Sequence, residues 1–308
     1  MKIVFLGYGE YGAAALSGLL QDKDISVDLI VTHPPKKGDV FANAVAELAA
    51  LNDIALLKSK TLSENSIKEA IRCCEPDVIV STNWRFKIPS RVFSMGRIGT
   101  LNIHDALLPK YGGLSAEQWV ILNGEKETGV TVHFVTDMMD AGPIVYQIPF
   151  LIDPTDTAEN VASKQLEIYP IIIQRAIWAL TKPGFEPTYI DLSQYCRFHA
   201  LGETDAKLNF SLTPDQMGRH VRAWSGKFGG CWIEIENERF RVGEVALPEM
   251  ALAGVPGRVI AHGGDGAWIV TGSCSQTGCS GIIFKTLLAE DSSVLEAQQV
   301  LRSGMQLR

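Results

Sequence analysis

Short apolar runs alternate with amphipathic stretches along the first 180 residues. KIVFL opens the chain as a strand, and residues 11–20 follow with helical spacing. SVDLIVTH predicts a second strand and residues 40–51 a second helix. IALL, a helix over residues 64–73, DVIVST and TLNIH continue the alternation. Such an order predicts a parallel sheet with helices on both faces. GVTVHFV and IVYQIPF then form two apolar strands split by the turn DAGP. Residues 157–180 carry apolar positions at the period of a long amphipathic helix.

The texture changes after TKPGFEP, and irregular sequence runs to about Asp205. LTPDQMGRHVRAW has a proline at a helix start. CWIEIENERFRVGEV and GRVIAHGGDGAWIVTG read as hairpins turning on ENE and GGDG, and GIIFKTLLA as a further strand. The expected architecture is therefore α/β: a Rossmann-like parallel-sheet domain over residues 1–190, a linker over 191–205, and a smaller mostly-β, barrel-like (OB-like) domain over 206–308.

The chain has 308 residues, 46% of them hydrophobic and 20% charged, which is ordinary for a globular protein. Its net charge of −7 repels a polyanion in bulk, so nucleic acid is not the expected partner. No run of about 18 apolar residues marks a membrane span. The start reads as the first strand of a fold and not as a signal peptide, which predicts a cytoplasmic protein. The six cysteines form no CxxC pair, and reduced thiols are expected. Cys274 and Cys279, in a Gly/Ser-rich stretch, are the pair to watch. The six histidines are dispersed, and no metal cluster is expected.

GYGEYG, with Gly7, Gly9 and Gly12, has dinucleotide-fingerprint spacing. NAD binding also wants an acidic residue at the tip of the second strand. That strand ends Ile30-Val31-Thr32-His33-Pro34-Pro35, with no acid at its tip. The turn is better suited to a helix N-terminus facing some other substrate. A tight turn with no ligand is the plain alternative.

LNIHDALLPKYGG carries more chemistry. Asn102 and His104 are two apart on a strand and share a face. Active sites of open α/β sheets lie at such strand tips. About thirty residues on, Asp140 stands before Ala-Gly-Pro at the end of another apolar strand.

These motifs resemble the formyltransferases that use N10-formyltetrahydrofolate. Asn102, His104 and DALLP match that family's signature, Asp140 in DMMDAGPIV its distal aspartate, and ETGVTVHFV is also similar. The resemblance spans roughly residues 1–180. The tail is similar to the C-terminal domain of the methionyl-tRNA subgroup. The resemblance implies that Asn102 and protonated His104 donate to the formyl oxygen, where negative charge develops as an amine attacks. It implies that Asp140 and His104 relay protons, with Asp140 holding the imidazolium by charge pairing. It places Arg85, Phe86, Lys87 and Ile88, in STNWRFKIP, along the pterin of the formylfolate co-substrate. Val135, Thr136, Asp137, Met138 and Met139 wrap its other side. Tyr8, Gly9 and Glu10, with Lys110 as a further candidate, fall where the family places its acceptor.

Four acceptor classes compete. The loop HPPKKGD is short for a tRNA enzyme, and from Gly202 onward the tail has 10 basic against 12 acidic residues, a net of −2. A glycinamide ribonucleotide enzyme would lack the tail, and Glu10 repels a phosphate. VTHP, GTLNIHDALLPKYGG and DAGPIV look closest to the siderophore-type enzymes that formylate N5-hydroxyornithine, which is the expected acceptor. Sugar nucleotides are the runner-up, followed by methionyl-tRNA. A formylfolate sensor and a formylfolate hydrolase stay open outside this class, and so does a homodimer.

Overall fold

The computed structural model describes residues 1–272 and 280–307. Cys274 and Cys279 lie outside the described residues. The chain divides into two compact units. The first comprises Met1–Ala116, Glu127–Leu151 and Ala162–His199; the second comprises Glu117–Lys126, Ile152–Val161 and Ala200–Arg308.

The first unit runs β1 (Lys2–Gly7), α1 (Gly9–Leu20), β2 (Ser26–Thr32), α2 (Ala44–Leu51), β3 (Leu56–Lys58), α3 (Asn65–Cys73) and β4 (Val78–Thr82). It continues through α4 (Ser90–Phe93), β5 (Gly99–His104) and the two-residue β6 (Gly112–Gly113). After α5 (Ala116–Asn123), which from Glu117 on falls in the second unit, come β7 (Glu127–Phe134), β8 (Ile144–Leu151), α6 (Ala158–Leu180, in the first unit from Ala162) and the short β9 (Arg197–Phe198). Seven of these strands form one sheet in the order β3-β2-β1-β4-β5-β7-β8. β1 to β5 pair in parallel, whereas β7 and β8 join antiparallel. The sheet is thus mixed and parallel-dominated, not wholly parallel. The DAGP turn makes β7 and β8 a hairpin, and such neighbours are necessarily antiparallel.

Alternation along β1 shows why both faces are covered. Ile3 and Phe5 enter a core with Leu16 and Leu19 of α1, Val45 of α2 and Tyr169 and Ile173 of α6. Val4 and Leu6 enter the opposite core with Ile67 and Ile71 of α3 and Val92 of α4. Each such side chain contributes about 1.5–3 kcal/mol when fully buried. A central strand buried on both sides reads as a continuous apolar run, and KIVFL is one. α2 starts four residues later than its periodicity suggests, because residues 40–43 turn and leave Val40 89% exposed. Among the described residues, no helix is long and apolar enough to cross a membrane.

The second unit is mostly β. α7 (Pro214–Ala223) begins with a capping box between Thr213 and Gln216. β10 (Trp232–Ile235) and β11 (Glu238–Val242) form a hairpin whose two loop residues, Glu236 and Asn237, both have positive φ. That is the turn expected of a two-residue hairpin loop. The short β12 is Val245–Ala246, and β13 (Val259–Gly263) and β14 (Gly266–Val270) form the second hairpin. GIIFKTLLA is not one strand: it divides into β15 (Gly281–Phe284) and β16 (Thr286–Leu288). At the break, the Lys285 N–H donates to the Glu244 carbonyl, and the chain passes from one sheet to the other. With β17 (Val294–Glu296), the strands make two four-stranded sheets, β10-β11-β16-β17 and β12-β15-β14-β13. The expected barrel-like domain is therefore described as two sheets.

Candidate active site

The tip of β5 gathers the polar groups. In the antiparallel register Asn102 stands opposite His133, and His104 opposite Thr131. Residues directly opposite share a face, as do residues two apart, so four polar side chains converge. Thr131 anchors the loop beyond: its hydroxyl donates to the Ala106 carbonyl at 2.6 Å and accepts the Leu108 N–H at 3.2 Å. Gln147 on β8 reinforces it, donating to the Leu108 carbonyl at 2.9 Å and to Thr131 Oγ1 at 2.8 Å. Tyr169 of α6 donates to the Asp105 carboxylate, and Gln165 to the Asp105 carbonyl at 2.6 Å. The backbone after the Asn102–His104 strand is thereby fixed from three elements, β7, β8 and α6.

Asp140 reaches this face from the β7–β8 turn, in left-handed backbone with φ of 50°. Close packing defines the turn, since a Cβ on Gly142 would lie 1.8 Å from the Phe134 carbonyl oxygen. Asp140 Oδ2 accepts the Gly113 N–H at 2.9 Å and lies 3.9 Å from His104 Nδ1. Its Oδ1 lies 3.6 Å from His133 Nε2. Burial pushes the Asp140 carboxyl up. The charge of His104, the His133 contact and the Gly113 N–H outweigh it and hold the group well below the usual carboxylate range. The carboxylate is ionised at neutral pH, between two imidazoles.

The hydrogen bonds constrain both rings. His104 Nε2 donates to the Tyr111 carbonyl at 2.7 Å, leaving Nδ1 toward Asp140. His133 Nδ1 donates to the Phe134 carbonyl at 2.9 Å, and its Nε2 lies 3.3 Å from the Asn102 amide nitrogen. The Asn102 amide carries two N–H groups, so one remains for another acceptor even where the first is directed at His133. The arrangement can donate to a developing oxyanion and move a proton through His104.

Two loops flank this cluster. Lys87 after β4 and Asp137 after β7 face each other at 3.8 Å. Phe86 is 58% exposed, Met138 47% and Met139 37%, so these loops offer apolar surface to a ligand. Arg85 is exposed and pairs with Asp39 at 3.6 Å, and Thr136 donates to the Met138 carbonyl at 3.0 Å. Ile88 points away into the core against α4, so its side chain lines no ligand surface. Val135 also packs toward that core. The segment expected as an irregular linker is partly ordered: β9 pairs with β6, and Tyr195 donates to the Met139 carbonyl at 2.7 Å.

At the glycine turn, Gly9 has φ of 67° and the Asn83 amide donates to the Tyr8 carbonyl at 3.1 Å. Tyr8 is 1% exposed, and its hydroxyl accepts the Lys36 N–H at 3.2 Å. The residue is therefore part of the wall, with its carbonyl also accepting the Gly12 N–H at 3.1 Å. Glu10 is half-buried in the first turn of α1, and Lys110 is exposed beyond the DALLP loop. Among the described residues no group of three or more His, Cys, Asp or Glu is placed to hold a metal ion. Cys73, Cys74, Cys196 and Cys231 are free thiols.

Sequence reading missed His133, Thr131 and His33. The signal for the first two was present: Thr and His at alternate positions of VTVHFV, an otherwise apolar strand. Only the register shows that they stand opposite Asn102 and His104. His33 is 3% exposed and belongs to a cluster with Tyr8, Trp84 and Phe86.

Residues 1–177 match the family described as formyl transferase. The chain is 27% identical over 282 residues to the methionyl-tRNA formyltransferase of Thermotoga maritima, covering 88% of this chain and 87% of that one. In fold it is similar to WlaRD, a sugar 3N-formyl transferase solved with dTDP and 5-N-formyl-THF: TM-score 0.68, 20% identity, covering 92% of this chain and 97% of the other. It is also similar to the N-formyltransferase of Helicobacter canadensis, solved with folinic acid and dTDP-3-aminofucose: TM-score 0.67, 18% identity, covering 92% and 98%. With more than half of its length matched, the chain belongs to the formyl transferase family and is a formyl-transferring enzyme.

Proposed function

We propose that the protein transfers the formyl group of N10-formyltetrahydrofolate to the amine of a sugar nucleotide. The observation that carries the reaction is the convergence of Asn102, His104 and an ionised Asp140 at the tip of β5. The amine nitrogen attacks the formyl carbon, and a tetrahedral intermediate forms. Asn102 donates its free amide N–H to the oxyanion, and the imidazolium of His104 stabilises it from the other side. The bond from carbon to N10 then breaks, the new amide nitrogen loses a proton, and N10 gains one. His104, paired with Asp140, is the relay. Arg85, Phe86 and Lys87 form one wall for the pterin, with the backbone at Ile88. Val135, Thr136, Asp137, Met138 and Met139 form the other. Gly9, Glu10 and Lys110 are left for the acceptor. Residues 1–190 act as the catalytic domain, with 191–205 as the linker to 206–308.

The acceptor reading moves from the sequence expectation. The names of the relatives point to methionyl-tRNA and amino-sugar acceptors and give N5-hydroxyornithine no support. Between the two, the tail's net charge of −2 favours a small acceptor over a polyanion. The 27% identity to a methionyl-tRNA enzyme keeps tRNA as the second reading. A screen with formyltetrahydrofolate decides, read by mass spectrometry as the gain of one formyl group. The panel is amino-sugar nucleotides, methionyl-tRNA, N5-hydroxyornithine and a no-acceptor control. Formylation of methionyl-tRNA alone would overturn the sugar reading. Formylfolate consumption without any amine would make the protein a hydrolase.

A further inference from the structure

The chemistry described above leaves unused one buried imidazole with both nitrogens bound. His33 sits just beyond β2. Its Nδ1 donates to the Ser59 carbonyl, after β3, at 3.1 Å. Its Nε2 lies 3.2 Å from the Arg85 nitrogen, after β4, and accepts that backbone N–H. The ring stacks on Trp84 with centroids 3.9 Å apart and planes inclined 24°, and its edges meet Tyr8 and Phe86 at 5.7 Å. The buried Trp84 Nε1 has no hydrogen-bond partner, so that ring is held by packing alone, on His33 and against the core beneath it.

We infer that His33 is a positioning residue that clamps the Trp84–Lys87 loop in its folate-binding conformation, and that it does so only as the neutral imidazole. The inference rests on the reading that this loop lines the pterin. Three strand tips meet through one ring, and the loop's backbone is attached to the sheet at Arg85, between the side chains offered to the ligand. Only one tautomer makes both bonds, with the proton on Nδ1 and the lone pair on Nε2. A second proton would set an N–H against the Arg85 N–H and put a positive charge beside the Arg85 guanidinium.

The surroundings resist that proton. The Arg85 guanidinium, 4.1 Å from the centroid of the Tyr8 ring, is the cation beside His33, and Asp39 is already paired with it. Glu64, behind Ser59, accepts the Ser59 hydroxyl at 2.7 Å. Burial lowers the His33 pKa, the Ser59 carbonyl opposes that shift, and Arg85 adds to it. A histidine with a lowered folded-state pKa binds fewer protons when folded. Its clamp is thus still complete at about pH 6.5 and is lost only as the pH falls through the lowered folded-state value, below 6.5.

The test uses the full chain and 5-formyltetrahydrofolate as the probe. Asparagine at this position reaches Ser59 but not Arg85, whereas glutamine can present an oxygen to the Arg85 N–H. His33→Asn should weaken binding of the probe roughly two- to twelve-fold, the equivalent of one lost neutral hydrogen bond. His33→Gln should recover most of that. In the wild type, probe affinity should hold from about pH 7.5 to 6.5 and fall at lower pH, and His33→Gln should remove this limb. ¹⁹F NMR of protein carrying 5-fluorotryptophan, with the Trp84 signal assigned by its loss in Trp84→Phe, reports on the loop itself. Should the probe saturate the enzyme without moving that signal, the assignment of the loop to folate fails. If it moves the signal but His33→Asn binds as tightly as wild type, or the acid limb persists in His33→Gln, the clamp alone is overturned.

Discussion

Replacing Asp140 by asparagine keeps its shape and removes its charge. The carboxylate is 8% exposed, lies 3.9 Å from His104 Nδ1 and 3.6 Å from His133 Nε2, and accepts the Gly113 N–H. An amide can keep the Gly113 bond through its oxygen, so the turn should hold. What disappears is the negative charge that favours the His104 imidazolium. A positioned acid–base group is worth about 10²–10⁴ in rate, and kcat should fall within that range while the Kd for 5-formyltetrahydrofolate changes less than about threefold. Stability supplies an independent check. A carboxyl with a depressed folded-state pKa contributes stability that is present above its unfolded value of about 3.9. That stability is lost as the pH falls through the folded value. Urea midpoints measured from pH 5 to pH 2 should therefore decline less steeply for Asp140→Asn than for the wild type. A variant with kcat within threefold of wild type, or an unchanged acid slope, would refute this account of Asp140.

The legible part of the fold was the part fixed by local periodicity. KIVFL, DVIVST and the long helix over α6 carry their burial in their own residues, and the structure places strands and helix there. GIIFKTLLA was misread because an apolar run says nothing of which sheet it serves; Lys285, bonded to Glu244, is where it changes partner. α2 was extended too far because Val40 and Phe41 continue the apolar pattern although both are exposed. At the site, Asn102 and His104 could be paired from their i, i+2 spacing. Asp140 joined them only through family resemblance, since nothing local brings residue 140 to residue 104. His133 stood out as a polar position in VTVHFV, but its partner did not, and His33 carried no signal of its own. One acts through cross-strand register and the other through backbone atoms of Ser59 and Arg85, and neither partner can be read from the residues alone.

Asn102→Ala should lower kcat about 10²-fold or more, as loss of an oxyanion donor does, with folate affinity nearly unchanged; wild-type turnover would remove Asn102 from the reaction. Thermal melts should rise with 5-formyltetrahydrofolate and stay flat with NAD or NADP, because the second strand lacks the acid a dinucleotide ribose needs; the reverse pattern would overturn the reading of the glycine turn. Saturation at a hundred times Kd is worth about 2.7 kcal/mol of added stability. Gly142→Ala tests whether close packing places Asp140. The added methyl would lie 1.8 Å from the Phe134 carbonyl oxygen, a backbone atom that cannot swing aside. Relief requires the β7–β8 turn to open, and Asp140 stands two residues before Gly142 in that turn. The variant should therefore lose stability, by about 1–3 kcal/mol as overpacking does, and should also lose kcat, because the carboxylate moves off the two imidazoles. Chemical denaturation and steady-state kinetics on the same preparation separate the two effects. A destabilised Gly142→Ala with full kcat would mean that Asp140 is held by its bond to Gly113 and not by the turn.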